Sequence, residues 1–347
     1  MDMNKLFISE DKNIMDALNQ IDETAKKILF VVEGYLLKGS ITDGDIRRWI
    51  LRNGDFTASI KEIINYNPKY IMNTEKNMAN KIMEKYSIEA LPILNINREI
   101  EEIVFWDYKT IKANKENIDA PVVIMAGGLG TRLHPYTKIV PKPLIPIGDT
   151  AIMERIINKF NCSGCDEFYV SLNYKKNMIK AYFEDLNKNY LIEYLEEKKP
   201  LGTGGSLYML KNKIKKSFFL TNCDVLIEAS YKDIYDYHKE NKNFITMVCA
   251  IKNITIPYGV IELNKKGNIE NIKEKPEYSF LTNTGMYILE PEIIDDIEEN
   301  KLIHMPEIID IYRKEGKRIG VYPISESNWM DMGEHVEMKK MIEKLGV

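Results

Sequence analysis

This sequence of 347 residues lacks an excess of basic residues: 48 Lys and Arg are balanced by 52 Asp and Glu, a net charge of −4. Broad nucleic-acid binding needs a basic face, so the composition argues against that class while leaving room for a small basic pocket that binds a phosphorylated ligand. No apolar run approaches the roughly 18 residues of a membrane span, and the N-terminus lacks the basic-then-apolar pattern of a signal peptide. We therefore expect a cytoplasmic protein with no nucleic-acid or membrane partner.

Cysteine and histidine are also scarce, at four residues each. Cys162 and Cys165 form the one C-x-x-C, and neither a second pair nor a histidine lies near it in the sequence. Because a structural zinc site needs four ligands, we interpret the pair as small half-buried residues that close a helix. A redox role is the alternative.

The composition changes near residues 112–120, and the chain is long enough for two domains. Polar residues without apolar periodicity at 112–117 predict a linker, and Pro121 then opens a run of strand-like residues. We predict one domain over residues 1–115 and a second over residues 120–347.

The first segment contains a weak internal repeat. A helix pattern around Ile14 precedes a strand pattern at residues 28–32. Later a helix pattern at Ile82 precedes strand patterns at residues 90–94 and 103–105. Because neither unit can bury an apolar face alone, we expect the two to pack on one another.

The stretch at residues 39–45 reads G-S-I-T-D-G-D. Together with the repeat, it resembles a tandem pair of cystathionine-β-synthase (CBS) domains. The resemblance implies that the Thr42 hydroxyl contacts the phosphate or ribose of a nucleotide and that Asp45 accepts hydrogen bonds from ribose hydroxyls. The alternative is a helix N-cap at Thr42 or its neighbour Asp43, and both roles are compatible. The matching positions of the second repeat fall near Phe105 and Tyr108, so we expect at most one such site.

The second segment alternates strand and helix signals. A continuous apolar run at residues 122–125 predicts a strand buried on both faces, and apolar residues at 152–160 form one helical stripe. Strand patterns follow at residues 168–172, 218–222 and 246–250. This rhythm predicts an α/β domain with a mainly parallel sheet covered by helices. Ligands of such sheets bind beyond the carboxyl ends of the strands, where the motifs below fall.

A glycine-rich motif, M-A-G-G-L-G-T-R-L at residues 125–133, directly follows the first of these strands. Its glycines let the backbone approach a ligand and turn N–H groups onto phosphate oxygens. The Gly-Lys-Ser/Thr of a P-loop is missing, and so is the third glycine of a dinucleotide fingerprint, where Leu133 stands. Alone, the motif is equally well interpreted as a tight turn. It continues, however, into P-K-P-L at residues 141–144.

Together, A-G-G-x-G-T-R-L and P-K-P-L resemble the signature of the sugar-1-phosphate nucleotidyltransferases. In that family the arginine and the lysine hold the nucleotide triphosphate, which implies this role for Arg132 and Lys142. Three further motifs of the family follow in order: P-L-G-T-G-G at residues 200–205, N-C-D at 222–224 and W-M-D-M-G at 329–333. The resemblance therefore implies a Rossmann-like α/β nucleotidyltransferase domain, preceded by an α+β tandem CBS domain.

This resemblance covers residues 121 to about 340 and implies roles for the matching residues. The implied nucleotide-binding residues are Ala126, Gly127, Gly128, Gly130, Thr131, Arg132, Lys142, Glu197 (or its neighbour Glu196), Gly202 and Thr203. The residues implied to hold Mg²⁺ are Asp224 and Asp331. The implied sugar-binding residues are Tyr258, Gly259, Glu274, Lys275, Asn283 and Thr284. The residues expected to be catalytic are Arg132, Lys142, Asp224 and Lys275.

The reaction implied joins an NTP to a sugar 1-phosphate, forms an NDP-sugar and releases pyrophosphate. A phosphate monoester, with a second pKa near 6, is largely dianionic at neutral pH, so this nucleophile needs no general base. That agrees with the scarcity of histidine. Of the four histidines, we interpret His134, in the signature loop, as a candidate for nucleotide contact. The others are interpreted as structural: His238, His304 and His335.

The P-L-G-T-G-G segment looks more like that of guanylyltransferases than that of the thymidylyl or cytidylyl branches. The coupling to a CBS pair resembles the glucosamine-1-phosphate guanylyltransferases of bacterial nonulosonic (legionaminic) acid synthesis. The resemblance implies GTP and glucosamine 1-phosphate as substrates, with mannose 1-phosphate as the alternative sugar. The CBS pair is expected to bind a regulatory nucleotide and to assemble a homo-oligomer. A dimerisation module with an empty pocket and a non-catalytic nucleotide-sugar sensor are the alternatives.

Overall fold

The chain divides into two compact units, residues 1–114 and 115–347. The predicted linker at residues 112–117 and Tyr108 lie outside the described part of the chain. Within that part, no helix is long and apolar enough to cross a lipid bilayer. The computed structural model describes residues 3–24, 26–86, 88, 90–105 and 118–346.

The first unit contains two three-stranded sheets with the same strand arrangement. In each, the first strand pairs parallel with the second, and the third pairs antiparallel with the second. The first repeat comprises β1 (Phe7–Ile8), α1 (Ile14–Thr24), β2 (Ile28–Glu33), β3 (Leu36–Thr42) and α2 (Asp43–Asn53). The second comprises β4 (Ile71–Met72), α3 (Ala79–Tyr86), β5 (Ala90–Leu94) and β6 (Ile100–Phe105). The internal repeat seen in the sequence is thus a repeat of topology.

These two repeats share an apolar core. Phe30 of β2 packs in one cluster with Ala90 and Leu94 of β5 and Ile100 of β6. The hairpin turns are also joined, because the Ile100 amide donates to the Tyr35 carbonyl at 2.9 Å. The expectation that the repeats pack on one another is confirmed.

A capping box closes the start of α2. Thr42 Oγ1 accepts a hydrogen bond from the Asp45 amide at 3.2 Å. Asp45 Oδ2 in turn accepts from the Thr42 amide at 2.8 Å and from the Thr42 hydroxyl at 2.6 Å. Arg48 donates to the other carboxylate oxygen. The N-cap predicted at Thr42 or Asp43 is therefore formed by Thr42.

Phe105 occupies the place of Thr42 in the second repeat. Thr42 pairs with Ile28, the first residue of β2, and Phe105 pairs with Ala90, the first residue of β5. The second repeat therefore offers no hydroxyl at this position.

The second unit is built on one large sheet. The strands of the whole unit are β7 (Val122–Met125), β8 (Pro146–Ile147), β9 (Thr150–Ala151), β10 (Glu167–Leu172), β11 (Leu191–Glu196), β12 (Phe218–Asn222), β13 (Val225–Ile227), β14 (Ile245–Thr255), β15 (Val260–Leu263), β16 (Ile269–Lys273), β17 (Glu277–Leu289), β18 (Ile319–Ser325) and β19 (Trp329–Asp331). Its helices are α4 (Tyr136–Ile139), α5 (Ile152–Cys162), α6 (Lys176–Asp185), α7 (Tyr231–Glu240), α8 (Glu292–Asp296), α9 (Met305–Lys314) and α10 (His335–Leu345).

The seven strands of this sheet lie in the order β11-β10-β7-β12-β17-β14-β18. Neighbours run parallel except where β17 takes part. Pairs β8–β9, β13–β19 and β15–β16 form small two-stranded sheets. The predicted α/β class with a mainly parallel sheet is confirmed. The P-L-G-T-G-G segment leads into a short 3₁₀ helix, Gly205–Leu210.

The central strand β7 is buried on both faces, as its unbroken apolar run predicts. Val122 and Ile124 pack in one core cluster with the apolar stripe of α5, whereas Val123 and Met125 pack in a second cluster with residues of α9. With both faces covered, the loops at the strand ends carry the polar groups that can meet a ligand.

The C-x-x-C pair lies at the end of α5 but is not evenly half-buried. Cys162, the last residue of the helix, is exposed, and Cys165 is buried in the core. Burial raises the pKa of the Cys165 thiol to about 12, so this thiol stays protonated.

Strands β7, β10, β11 and β12 are adjacent and parallel, so their carboxyl ends meet at one edge of the sheet. The antiparallel strand β17 extends beyond this edge. It pairs with β12 only from Met286 onward, although it begins at Glu277. Its first half and the end of β14 therefore form an arm beside the ligand edge, from which the β15–β16 hairpin extends.

Candidate active site

A cavity of about 360 Å³ lies where the loops after β7, β11 and β12 converge. The predicted nucleotide and metal residues in its lining are Gly127, Gly128, Gly130, Thr131, Arg132, Lys142, Glu197, Gly202, Thr203 and Asp224. Its other lining residues are Met125, Pro200, Leu201, Asn222, Cys223, His304 and Gly333. The fold thus brings four separate sequence motifs to one cavity.

The glycine-rich loop needs glycine at two positions in particular. A Cβ at Gly127 would lie 3.1 Å from Glu197 Oε1. Gly130 has a φ of +65°, and a Cβ there would lie 2.9 Å from Thr137 Cγ2. Thr137 Oγ1 donates to the Gly130 carbonyl at 2.8 Å, which holds the turn. At these two positions the loop therefore runs close to its neighbours, and a side chain there would require them to shift.

Two residues predicted to meet the nucleotide are engaged elsewhere. Ala126 is absent from the cavity lining: its side chain is buried in the core and its amide donates to the Ser171 carbonyl at 2.9 Å. It continues β7 and does not contact the cavity. His134 is also outside the lining, and its carbonyl is hydrogen-bonded to His335 Nε2 at 2.9 Å. This contact fastens the signature loop to α10.

The pairing of β13 with β19 unites the two aspartates. Val225 pairs with Asp331, and the Met332 amide donates to the Asp224 carbonyl at 2.9 Å. The carboxylates are thereby held close together, although more than a hundred residues separate them in the sequence. Asp331 itself is not among the residues that line the cavity, but its carboxylate lies beside Gly333, which is: a Cβ at Gly333 would lie 3.2 Å from Asp331 Oδ1.

Charge around this pair is only partly balanced. Lys142 forms an ion pair with Asp224, both side chains being mostly buried. Asp331 Oδ1 is buried and has no hydrogen-bond partner among the described residues. Burial, followed by the charge of Asp224, raises the pKa of Asp331 to about 6, while Lys142 opposes the shift. The site therefore carries a carboxylate oxygen that a further cation would stabilise.

A hard divalent cation suits this donor set. Mg²⁺ is usually bound through one or two carboxylates, with waters and substrate phosphates as its other ligands. Asp224 and Asp331 supply two carboxylates. Across the described ranges, no group of three or more His, Cys, Asp or Glu side chains is placed to form a complete protein cage.

Glu197 is a buried carboxylate in the wall of the cavity, 6% exposed. Ser171 donates to its Oε1, and the Leu201 amide donates to its Oε2 at 3.1 Å. Asn173 Nδ2 donates to its backbone carbonyl at 2.9 Å. Burial raises the pKa of the Glu197 carboxyl, against the effect of these hydrogen bonds. Within the described residues it has no cationic partner.

The neighbouring carboxylate is placed differently. Glu196 lies at the surface and forms ion pairs with Lys176 and Lys180 of α6. Of the two glutamates proposed for the nucleotide, only Glu197 lines the cavity.

His304 lines the cavity, although we interpreted it as structural. The Ile303 amide donates to the Leu201 carbonyl at 3.0 Å, and the Gly204 amide donates to the Ile303 carbonyl at 3.1 Å. These contacts bring His304 beside Thr203, whose amide donates to His304 Nδ1 at 3.4 Å. No motif surrounds this histidine, so the sequence carries no signal of its position.

The predicted sugar-binding residues are outside the cavity lining. Tyr258, Gly259, Glu274 and Lys275 are exposed at the base of the β15–β16 hairpin, where a Cβ at Gly259 would lie 3.1 Å from Glu274 Oε2. These four residues form one group on the arm, at the edge of the sheet that carries the cavity.

The last two predicted sugar contacts lie on β17. Asn283 is exposed, and its Nδ2 donates to the Tyr287 hydroxyl at 2.6 Å. Thr284 is buried, and its hydroxyl donates to the Val248 carbonyl at 2.7 Å. The Thr284 side chain therefore faces the sheet and is not available to a sugar.

Comparison with known proteins agrees with this architecture. The model of the Nucleotidyl transferase family matches residues 121–346. The chain belongs to that family. It is 38% identical over 180 residues to the bifunctional protein GlmU of Methanococcus maripaludis, a match that covers 51% of this chain and 41% of that protein. It is 32% identical over 222 residues to the mannose-1-phosphate guanyltransferase of Saccharomyces cerevisiae, covering 61% of each.

Among solved structures, HddC from Yersinia pseudotuberculosis is similar, with a TM-score of 0.52 and 25% identity over 65% of this chain and 99% of that one. The chain spans 41% to 61% of the length of the curated relatives above. The match to the family model lies within the second unit.

Replacing Asp331 with asparagine should stabilise the protein in EDTA at pH 7.5 and have about half that effect at pH 5. The raised pKa means that the stability contributed by protonated Asp331 is complete below about pH 4 and is lost as the pH rises through about 6. Asparagine avoids this loss, a gain of about 1–3 kcal/mol at pH 7.5. Thermal unfolding at both pH values measures it, with exposed Asp185→Asn as the control. A lower melting temperature for Asp331→Asn at pH 7.5 would contradict the prediction.

Proposed function

We propose that this protein transfers a nucleotidyl group from an NTP to a sugar 1-phosphate, forming an NDP-sugar and releasing pyrophosphate. The observation that carries the proposal is the cavity in which the glycine-rich loop, Lys142 and Asp224 meet beside Asp331. Membership of the Nucleotidyl transferase family supports the reaction type. Similarity to a protein named mannose-1-phosphate guanyltransferase supports a sugar 1-phosphate as the acceptor.

Each part of the cavity has a role in this reaction. Backbone amides of the glycine-rich loop bind phosphate oxygens, and Arg132 and Lys142 neutralise the triphosphate and the leaving pyrophosphate. Lys275, on the arm, steadies the sugar phosphate. The sugar phosphate attacks the α-phosphorus in line without a general base, since it is already largely dianionic at neutral pH. Catalysis then consists of positioning and charge neutralisation.

We further propose that Asp224 and Asp331 hold Mg²⁺. The support is the buried Oδ1 of Asp331, which has no partner within the described residues, beside a second carboxylate. When bound, Mg²⁺ supplies positive charge to the reacting phosphates. With Asp224 bound to the metal, Lys142 would be released from its ion pair with Asp224 and would bind the phosphates.

Asp224→Asn should lower the rate of Mg²⁺-dependent pyrophosphate release about 100-fold or more, because one metal ligand loses its charge. Pyrophosphate release with saturating GTP and glucosamine 1-phosphate is the measurement, and Asp185→Asn, at the exposed end of α6, is the control. A near-normal rate would show that Asp224 does not hold the metal. A wild-type protein that binds both substrates without releasing pyrophosphate would instead be a nucleotide-sugar sensor.

Guanine is the base that Glu197 suits best. An ionised carboxylate offers only acceptors. Guanine alone among the common bases presents two adjacent donors, N1–H and N2–H₂, on its Watson–Crick edge. Uracil and thymine place one donor between two acceptors, and adenine and cytosine place a donor beside an acceptor. A buried carboxylate in the cavity wall, with no cationic partner in the described part of the chain, therefore supports GTP as the donor.

For the sugar we propose glucosamine 1-phosphate, with mannose 1-phosphate as the alternative, and a product that enters nonulosonic acid synthesis. The support is the domain architecture, in which a unit resembling a CBS pair precedes the catalytic unit.

Glu197→Gln should lower kcat/KM for GTP by about 10- to 100-fold, which corresponds to one hydrogen bond to a charged group. The Gln side chain would place its NH₂ donor against a guanine N–H donor, and two donors cannot form a hydrogen bond. Selectivity for guanine over the other bases should therefore also fall. Five NTPs tested against glucosamine 1-phosphate and mannose 1-phosphate give the profile. Glu196→Gln, one residue away but paired with surface lysines, is the matched control and should behave as wild type. A wild-type preference for UTP, dTTP or CTP would overturn the guanine assignment.

We propose that the first unit is a tandem CBS pair that binds one regulatory nucleotide through Thr42 and Asp45. The support is the repeated strand topology and the asymmetry between the repeats, since Phe105 stands where the first repeat has Thr42. In the structure the same two side chains cap α2.

Asp45→Glu should separate the two roles of this aspartate. Glutamate is the usual partner in a capping box, so the stability of α2 should change by less than about 0.5 kcal/mol. The longer side chain displaces the carboxylate, so nucleotide affinity at the first unit should fall about 10-fold or more. Calorimetric titration of AMP, ADP and ATP into wild type, Asp45→Glu and a chain that starts at residue 120 tests this. Identical isotherms for the full-length protein and the truncated chain would leave the first unit without a ligand.

A further inference from the structure

The β15–β16 hairpin exposes one apolar face. In its antiparallel register Ile261 is opposite Ile272, and Leu263 is opposite Ile269, so each pair projects from the same side. These four side chains are between 55% and 60% exposed. The hairpin thus carries a contiguous strip of large aliphatic groups in contact with water.

The opposite face of the same hairpin is polar and satisfied. Glu262 accepts hydrogen bonds from Lys273 Nζ at 2.7 Å and from Asn271 Nδ2 at 3.2 Å. Glu262 is also less exposed than its apolar neighbours Ile261 and Leu263. Both faces of the hairpin are therefore in contact with solvent, the apolar face included.

An exposed apolar face of this kind is expected to bind a partner. A two-stranded hairpin is at best marginally stable alone, and soluble proteins rarely expose contiguous apolar patches unless something binds there. The arm below the hairpin adds Ile254 and Phe280, which are 47% and 52% exposed.

Charges at the two ends of the hairpin indicate what binds to its apolar face. The turn carries Lys265 and Lys266, with Glu270 nearby, and is net positive. The base carries Glu274 and Glu277 around Lys275, and is net negative. Within the described ranges none of these six side chains forms an ion pair inside the chain.

We propose that the apolar face is covered by the same face of a second copy of the chain. When two hairpins lie antiparallel about a two-fold axis, the aliphatic strips meet and the basic turn of each copy lies against the acidic base of the other. A two-fold contact requires such a self-complementary surface. The contact would also fix the base of the hairpin, where Tyr258, Glu274 and Lys275 lie. That consequence rests on the proposed function, whereas the association does not.

The association is tested on the full-length protein by sedimentation and by hydrogen exchange across a 100-fold range of concentration. Exchange reports on the hairpin itself, so association through the first unit does not confuse the result. Wild type should show slower exchange over residues 260–273 as concentration rises, together with a larger sedimenting species. Ile261→Asp combined with Ile272→Asp should weaken this association at least 10-fold. Glu262→Gln, between them in sequence but on the opposite face, should leave it unchanged.

A charge exchange tests the antiparallel orientation. Lys265→Glu with Lys266→Glu should weaken self-association, and an equimolar mixture with Glu277→Lys protein should restore it. Failure of the mixture to associate more tightly than either variant alone would refute the proposed orientation.

Three results would overturn the proposal. The first is hairpin exchange independent of concentration, with the double aspartate variant sedimenting as wild type. The second is protection that requires GTP and sugar phosphate without a change in mass, which would make the face a flap over the cavity of its own chain. The third is protection only with anionic phosphatidylglycerol vesicles, which would make it a membrane contact.

Discussion

Two carboxylates, those of Asp224 and Asp331, repel one another in a partly buried site, and the second unit is arranged to hold them together. The short β13–β19 pairing brings Asp224 and Asp331 side by side, and Lys142 forms its ion pair with Asp224. Two observations reflect the repulsion between them: the raised pKa of Asp331, and the lack of a hydrogen-bond partner for its Oδ1 within the described residues. A site of this kind costs stability in the absence of a cation, and the Mg²⁺ that we propose for it would offset that cost.

The cavity itself depends on close backbone packing. Gly127 passes beside the Glu197 carboxylate, and Gly130 turns against Thr137, so the glycine-rich loop has little freedom to move. Glu197 is in turn fixed by Ser171 and the Leu201 amide. The groups that would bind phosphate and base are thereby held before any ligand binds, which reduces the cost of ordering them.

The β15–β16 hairpin on the arm differs from the cavity in what stabilises it. Its apolar strip lies beside the group that we assign to the sugar, so the part of the unit that would contact the acceptor also carries an exposed apolar face. The cavity is built on the large sheet, whereas the acceptor end that we propose is built on a two-stranded extension. Such an extension is stabilised by what packs against it.

Local patterns in the sequence were enough to predict the elements and the order of the motifs. The apolar run of β7, the stripe of α5 and the internal repeat each follow from periodicity, because burial of a face imposes a period on the chain. The glycine-rich loop and P-K-P-L were recognised as one signature before the structure placed Arg132 and Lys142 in one cavity. Tertiary structure alone decided which residues of the motifs face the cavity and which face the core. Glu197 and not Glu196 lines the cavity, Ala126 and Thr284 are turned into the core and sheet, and Ile303 carries His304 to the cavity wall. These outcomes depend on contacts between segments far apart in the chain, and a side chain's direction at a strand end is set by the register of those contacts, which no local pattern encodes.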